Sequence, residues 1–287
     1  MSEQEKDAVT GVETTGHEWD GIKELNNPLP RWWLWTFYGT VIWAVLYMVA
    51  FPALPISGVK GALGYSSREK VHERIAEAKA DQADLLAKID TMSLGEIRED
   101  PAAFQFAVAG GRAAFAVNCS QCHGSGAQGS PGYPNLNDDD WLWGGSLDAI
   151  STTIRHGIRY AGDDDTRFSQ MPAFGKDGVL DRTQILAAAN YVGELAGLEH
   201  DPEQAAAGKP VFEENCAVCH KADATGDKEL GAPNLKDAIW HYGGTVPEIV
   251  RQISNPKHGV MPAWQGRLDD ATIKQLTVYV HSLGGGE

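Results

Sequence analysis

The sequence contains few cysteines, and none of them is spare. Of its 287 residues only four are cysteines. All four lie in two short runs, Cys119-Ser120-Gln121-Cys122-His123 and Cys216-Ala217-Val218-Cys219-His220. No cysteine is left for a structural disulfide elsewhere in the chain. The low cysteine content by itself therefore says nothing about the redox compartment.

Positive charge is also scarce. The chain has 24 lysines and arginines against 39 aspartates and glutamates, a net charge of −15. Such a chain is repelled by a phosphate backbone, which argues against a nucleic-acid partner. The acidity is suited to a basic protein partner, because complementary charge speeds encounter. General solubility explains it equally well, so both interpretations stay open.

One long stretch has no charge at all, from Trp32 to Leu54. It is long enough to cross a bilayer core of about 30 Å. Tryptophans crowd its start, as in an aromatic belt, and Pro52 and Pro55 mark its end. The pattern predicts a retained single transmembrane helix over residues 31–55. A cleaved signal peptide is disfavoured by the long acidic segment before it and by the lack of a small-x-small cleavage site.

The segments around this span are polar. Residues 1–30 form an acidic tail, in which the stretch from His17 to Arg31 looks like a docking or interfacial segment. Residues 56–100 form a charged linker, predicted to be an amphipathic helix that begins at Ser66 with a capping box completed by Glu69. Basic residues occur on both sides of the span, so the positive-inside rule does not decide its orientation.

The two cysteine runs share the spacing of a c-type haem attachment site, with two cysteines three apart and a histidine next. In this chemistry Cys119 and Cys122, and likewise Cys216 and Cys219, form thioethers to the haem vinyl groups. The adjacent histidines, His123 and His220, then bind the irons. A disulfide, a zinc site and a thioredoxin-like pair are the alternatives. Two identical runs, each with a possible second ligand downstream, favour two covalently bound haems c.

The two runs belong to an internal repeat, which divides the chain after the linker into residues 101–198 and 199–287. Several features recur in the same order in both copies. They are Gly111 and Gly208 before the motif, Pro134 and Pro233 after it, then Trp141 and Trp240, the Met-Pro pairs at Met171 and Met261, and a closing helical run with Tyr191 or Tyr279.

Met171 and Met261 are the only methionines after the linker, and each precedes a proline. A thioether ligand favours the reduced iron and raises the potential, which suits electron transfer. We therefore predict that Met171 binds the first iron and Met261 the second. His156 and His258 are the competing ligands and would give haems of lower potential. An exchange of the distal ligands between the two copies also stays open.

Each copy resembles a class I cytochrome c, which implies a small all-α domain. Together with the predicted span, this gives an all-α chain with one amino-terminal transmembrane helix followed by two tandem cytochrome c domains. By this resemblance, Gly111 with Tyr191, and Gly208 with Tyr279, mark the crossing of the first and last helices. Pro134 and Pro233 match the position whose carbonyl accepts from the proximal histidine. Trp141 and Trp240 either donate to a haem propionate or only pack. The first copy has an insertion at residues 158–167, interpreted as an interface or as a solvated loop.

The segment from His17 to Trp33, followed by one span and two such domains, resembles the diheme subunit III (CcoP/FixP type) of the cbb3-type cytochrome c oxidases. The resemblance implies a bacterial inner-membrane protein that relays electrons from a donor cytochrome c. Its other implied partners are a haem–copper catalytic subunit and a monohaem cytochrome c subunit.

Because c-type attachment is completed outside the cytoplasmic membrane, the haem domains are expected in the periplasm and the amino terminus in the cytoplasm. The span has no histidine that could bind catalytic metals, so no catalytic centre is expected here.

A free-standing membrane-anchored electron shuttle is the alternative function. A haem-based gas sensor or an assembly factor would need an open iron position, which two Met-Pro loops disfavour.

Overall fold

The computed structural model describes residues 5–51 and 60–287. Pro52 and Pro55, predicted to end the membrane span, lie outside the described residues. The chain forms two compact units, Met1–Ala80 and Asp81–Glu287. The described secondary structure is mostly helical, as predicted.

The acidic tail contains a short hairpin that the sequence analysis did not predict. Strand β1, Thr14–Trp19, pairs antiparallel with β2, Ile22–Leu25. Asp20 and Gly21 join the strands, and both have positive φ values, 49° and 85°. An Asp-Gly pair is the preferred sequence for a two-residue turn of this kind, because both residues tolerate the left-handed region. The Asp20-Gly21 pair was therefore an available signal.

Helix α1, Arg31–Ala50, contains 20 residues, enough at 1.5 Å each to cross a bilayer core. None of its residues is buried within the chain. By length and composition, it is the one helix in the described part of the chain that could span a membrane. A helix that is apolar on all sides and has no buried residue is suited to lipid.

Most of the described part of the linker is helical. Helix α2, Ser67–Thr91, follows Ser66, whose hydroxyl accepts from the Glu69 backbone N–H at 3.3 Å. Helix α3, Leu94–Glu99, begins with a capping box between Ser93 and Glu96.

The second unit contains eight further helices among the described residues. They are α4 Pro101–Asn118, α5 Ser120–His123, α6 Leu147–His156, α7 Arg182–Leu195, α8 Pro202–Asn215, α9 Ala217–His220, α10 Val246–Ser254 and α11 Asp270–His281. Helices α4 and α8 each precede a cysteine motif. Helices α7 and α11 are the closing helices of the first and second sequence copies.

The closing helices are exchanged between the copies. Helix α4 packs against α11, and α8 packs against α7. A Cβ atom added to Gly111 would lie 2.2 Å from the Gln275 carbonyl oxygen, and one added to Gly208 would lie 2.0 Å from that of Ala187. The predicted pairing of Gly111 with Tyr191, and of Gly208 with Tyr279, is therefore wrong.

The aromatic contacts show the same exchange. The Phe115 ring packs against that of Tyr279 at 5.5 Å, and the Tyr191 ring packs against that of Phe212 at 5.4 Å, measured between ring centroids. The physical reason lies in the connection between α7 and α8. Only residues 196–201 join them, and a short connection makes consecutive helices neighbours.

Two lobes result, and each has its own core. Lobe 1 consists of α4, α5, α6 and α11, around the buried residues Phe115, Ala127, Ile150, Ile154, Ile273, Leu276 and Val280. Lobe 2 consists of α7 to α10, around buried residues that include Phe174, Ile185, Ala188, Val192, Phe212, Ile249 and Ile253. Lobe 2 is continuous in sequence, whereas lobe 1 combines two separate stretches. The predicted domain boundary between residues 198 and 199 falls between two packed helices of lobe 2. Residues 101–198 and 199–287 therefore remain the predicted limits of the two repeat copies. They do not coincide with the two lobes.

The end of the linker belongs to lobe 1. Ile89 and Ile97 pack with Ala103 and Val278 in a third buried cluster. The Lys274 ammonium group donates to the backbone carbonyl oxygens of Asp90 and Met92 at 2.7 and 2.9 Å. These oxygens lie at the end of α2, where carbonyl groups lack helical partners. The contacts hold the end of α2 and α3 against the first haem-motif helix.

Candidate haem pockets

Each cysteine motif forms a single helical turn at the end of a longer helix. In lobe 1, the N–H groups of Cys122 and His123 both donate to the Cys119 carbonyl, at 3.1 and 3.0 Å. In lobe 2, Cys219 and His220 bond in the same way to the carbonyl of Cys216, at 3.1 and 3.0 Å. Residues three apart lie on the same face of a helical turn. Both thiols of each motif are thus presented together, as attachment to one ring system requires.

Both motif histidines are oriented by a proline carbonyl. The His123 Nδ1 atom lies 3.1 Å from the Pro134 oxygen, and the His220 Nδ1 atom lies 3.0 Å from the Pro233 oxygen. With Nδ1 donating to the carbonyl, Nε2 keeps its lone pair for a metal. Burial lowers the pKa of both imidazoles, and the carbonyl contacts offset part of that shift. Both side chains are therefore held in the neutral form that binds iron.

The two Met-Pro loops lie in the opposite lobes from those that the order of the repeat predicts. Met261 packs on the lobe 1 core, to which Cys119 also contributes. Met171 packs on the lobe 2 core, to which Cys216 contributes. Each lobe therefore combines the cysteine motif of one copy with the methionine of the other. The predicted pairing of Met171 with His123, and of Met261 with His220, is not formed, because the exchange of the closing helices places each methionine on the core of the other motif.

The competing histidines have other neighbours. The His156 Nδ1 atom lies 3.2 Å from an Asp163 carboxylate oxygen, within the 156–165 region. The His258 ring lies against the Met171 backbone carbonyl.

The two tryptophans differ in their partners. The Trp141 indole N–H donates to the Gly285 carbonyl near the carboxyl terminus. The Trp240 indole nitrogen is buried and has no hydrogen-bond partner among the described residues. Buried donors are nearly always paired, so an orphaned N–H indicates an acceptor supplied by a bound group. A haem propionate would be such an acceptor.

The residues of each lobe fit a haem. Each has two thiols and a neutral imidazole on one turn, an apolar core and a thioether side chain. A zinc site does not fit, because among the described residues the one grouping of three metal-ligating side chains is His156, Asp163 and Asp165. That grouping is remote in sequence from the cysteine motifs and includes none of their residues.

An acidic cluster at residues 138–140 and Asp237 was not identified from the sequence. Burial, together with the charges of Asp237, Asp138 and Asp139, raises the pKa of Asp140 to about 6. The Asp140 carboxylate lies 3.7 Å from the His241 Nε2 atom, and burial lowers the pKa of that imidazole. At neutral pH the partly buried Asp140 therefore carries a negative charge close to those of the other three aspartates, which the nearby Lys228 offsets only in part.

We expect Asp140→Asn to stabilise the protein near neutral pH. Between the ordinary aspartate pKa and about 6, folded Asp140 holds a proton that the unfolded chain has released. Raising the pH across this window therefore lowers the free energy of unfolding, by no more than about 3 kcal/mol. Asparagine does not titrate, so Asp140→Asn keeps its stability over this pH range. The thermal midpoint of Asp140→Asn should therefore exceed that of the unsubstituted protein by an amount that grows from about pH 4 to about pH 7.

The measurement is thermal unfolding of the haem-loaded chain in detergent across that pH range. Asp164→Asn is the matched control, because it removes the same charge from an exposed position. A pH-independent difference between Asp140→Asn and the unsubstituted protein would contradict the raised pKa.

Comparison with known proteins gives the family. Residues 11–58 match the family model described as the N-terminal domain of cytochrome oxidase-cbb3, FixP. Residues 106–192 and 203–280 match the model described as cytochrome C oxidase, cbb3-type, subunit III. The resemblance stated from the sequence is thereby confirmed for the amino-terminal segment and for both copies.

Similar proteins extend the match to full length. The chain is 57% identical over 288 residues to the cbb3-type cytochrome c oxidase subunit FixPc of Rhizobium leguminosarum bv. viciae, covering 100% of both chains. It is 50% identical over 279 residues to subunit CcoP of Cereibacter sphaeroides, covering 96% of this chain and 95% of the other. The chain therefore belongs to the FixP/CcoP family, the cytochrome c subunit III of the cbb3-type oxidases.

Proposed function

We propose that this electron-transfer subunit holds two covalently bound haems c and relays electrons from a donor cytochrome c towards an oxygen-reducing haem–copper subunit. One observation carries the proposal. Each lobe brings a Cys-x-x-Cys-His turn, with its histidine oriented through Nδ1, together with a methionine on the same apolar core. When bound, haem c supplies a one-electron iron couple whose potential is raised by a methionine ligand.

The residues that hold the two groups are assigned across the copies. Cys119, Cys122, His123 and Met261 hold the haem of lobe 1. Cys216, Cys219, His220 and Met171 hold the haem of lobe 2. Met261 and Cys119 pack on the same core in lobe 1, as Met171 and Cys216 do in lobe 2, which supports this exchange. It replaces the ligand pairing within each copy that the repeat suggested.

The remaining pocket residues orient and shield these groups. The Pro134 and Pro233 carbonyls fix the tautomer of the motif histidines, which tunes them as ligands. The orphaned Trp240 N–H is suited to a propionate of the lobe 2 haem. Trp141, whose N–H is already bonded to Gly285, closes the lobe 1 core by packing.

The chain is anchored in the inner membrane by α1, with the lobes in the periplasm and the amino terminus in the cytoplasm. The support is chemical, because bacterial c-type attachment is completed outside the cytoplasmic membrane. The net charge of −15 is suited to a basic donor cytochrome. Helix α1 contains no histidine, so the catalytic metals belong to a haem–copper partner subunit. A monohaem cytochrome subunit passes electrons from this chain to that partner.

Native co-purification tests this function. An affinity tag belongs at the amino terminus, because Gly285 and Glu287 are engaged by Trp141 and Lys228. After gentle solubilisation we expect the tagged chain to co-migrate with a haem–copper polypeptide, a monohaem cytochrome and oxygen uptake. Two haems per chain should remain after denaturation, because covalent attachment survives it. A haem-stained chain that runs alone, with the oxidase activity elsewhere, would indicate a free-standing shuttle instead.

A further inference from the structure

The insertion at residues 158–167 lies where the chain passes from lobe 1 to lobe 2. The Arg159 side chain extends from it to both Met-Pro loops. Its Nε–H donates to the Gly259 carbonyl at 2.7 Å, and its Nη1–H donates to the Ser169 carbonyl at 3.0 Å. Gly259 precedes Met261 by two residues, and Ser169 precedes Met171 by two. One guanidinium group therefore holds equivalent positions of both loops.

The backbone around Arg159 is fixed by the same loops. The Ile158 N–H donates to the Met261 carbonyl at 2.9 Å, and the Met261 N–H donates back to the Ile158 carbonyl at 3.0 Å. A Cβ atom at Gly157 would lie 2.2 Å from the Met261 carbonyl oxygen, so this approach requires glycine. Arg159 itself has a φ of +53°, a conformation that persists only where the surroundings enforce it. The side chain is thus anchored at its base as well as at its tip.

The charge of this side chain is not neutralised locally. Arg159 is half-buried and forms no ion pair among the described residues. An arginine in a protein keeps its proton, so a positive charge lies between the two loops. Its planar group can bond to two carbonyls at once, which a lysine ammonium does less well. An arginine at this position is therefore suited to bonding two carbonyl acceptors at the same time.

We infer that Arg159 is a positioning residue shared by the two haem sites, which holds the Met171 and Met261 loops in place together. The inference rests on the proposed function, in which both methionines are iron ligands. A thioether is a weak ligand, so a small displacement of its loop increases the fraction of iron from which it is detached. Removing Arg159 therefore weakens the sulfur ligation of both haems, although its guanidinium bonds only to backbone carbonyls of the two loops.

Imidazole binding to the ferric, full-length chain in detergent tests this inference. Added imidazole occupies the distal position only when methionine is detached, so its apparent affinity reports that population. We expect Arg159→Gln to raise the affinity about tenfold at both haems, because each loop loses a hydrogen bond to a charged donor. The near-infrared sulfur-to-iron band should disappear at correspondingly lower imidazole concentrations. Arg251→Gln, which removes a charge from an exposed position on α10, should change neither quantity.

Arg159→Lys separates charge from geometry and also serves if the glutamine variant yields no haem protein. Because one ammonium replaces the planar group, we expect imidazole affinity to rise at one haem or at both. An unchanged affinity at both haems in Arg159→Lys, or a rise at fewer than two in Arg159→Gln, would overturn the inference. Failure of the proposed function is distinguishable, since the unsubstituted chain would then lack two haems or the sulfur-to-iron band.

Discussion

Replacing Met261 with histidine should abolish the near-infrared sulfur-to-iron band of the haem attached at Cys119 and Cys122. The same change should leave the haem at Cys216 and Cys219 unaltered. The physical reason is the helix exchange, which packs the Met261 loop on the core of lobe 1. Met171→His should have the converse effect, because Met171 packs on the core of lobe 2. In each case the affected haem should fall in potential by a fraction of the roughly 0.8 V range available to axial ligands.

Single-haem backgrounds make this test decisive. In a chain with both Cys216 and Cys219 replaced by alanine, the remaining haem should lose its band with Met261→His and keep it with Met171→His. Ligation within each sequence copy predicts the reverse. Met92→His is the control, because Met92 packs on the third cluster of lobe 1 and on neither haem-motif core. Absorption spectra and mediated redox titrations of the purified chain give both readouts.

Features that depend on local sequence could be predicted. The cysteine turns, the span, the capped linker helix and the proline carbonyls all follow from residues close together in the chain. Ser66 caps the start of α2 as expected, and His123 bonds to Pro134 as the resemblance implied. In each case the partners lie within about a dozen residues, and alternative arrangements would leave polar groups unpaired.

The exchange of closing helices could not be predicted in this way. Both copies carry a glycine in the first helix and a tyrosine in the last, so either pairing satisfies the pattern. Which pairing forms depends on the segments that connect the helices, and the hydrophobic periodicity of the helices carries no information about it. The short link between α7 and α8 favours their packing, and Ile158 pairs with Met261 through backbone groups alone. The contact of Arg159 with both Met-Pro loops likewise could not be predicted from the sequence, because its acceptors are backbone carbonyls 10 and 100 residues away.

Because of the exchange, the two lobes also differ in the order in which the chain builds their helices. Lobe 2 has its closing helix before its haem motif in the chain, so its first and last helices are joined directly. Lobe 1 is completed only when α11 packs on α4, after the chain has passed through lobe 2. The two crossings of the chain between the lobes are the Arg159 insertion and the stretch before Met261. The segments that carry the distal methionines are therefore also the segments in which the chain passes from one lobe to the other.

Replacing Gly111 with alanine should destabilise lobe 1 by about 3 kcal/mol and lower the yield of haem attached at Cys119 and Cys122. A Cβ atom there would lie 2.2 Å from the Gln275 carbonyl oxygen and 2.6 Å from the Tyr279 Cβ atom. Backbone atoms cannot rotate away, so α4 and α11 must separate. Separation withdraws α11 from the core that carries the first motif, since Leu276 and Val280 are buried in it.

Gly110→Ala is a closely matched control, one residue away on the same helix. A Cβ atom at Gly110 would meet the end of the flexible Gln275 side chain, with the nearest atom at 2.5 Å. The side chain can shift, and alanine gains about 1 kcal/mol over glycine within a helix. We therefore expect Gly110→Ala to change the free energy of unfolding by no more than about 1 kcal/mol. Thermal midpoints and covalent haem content of the two variants measure the difference. Equal stability of Gly111→Ala and Gly110→Ala would contradict the close crossing of α4 and α11, and with it the exchanged arrangement of the lobes.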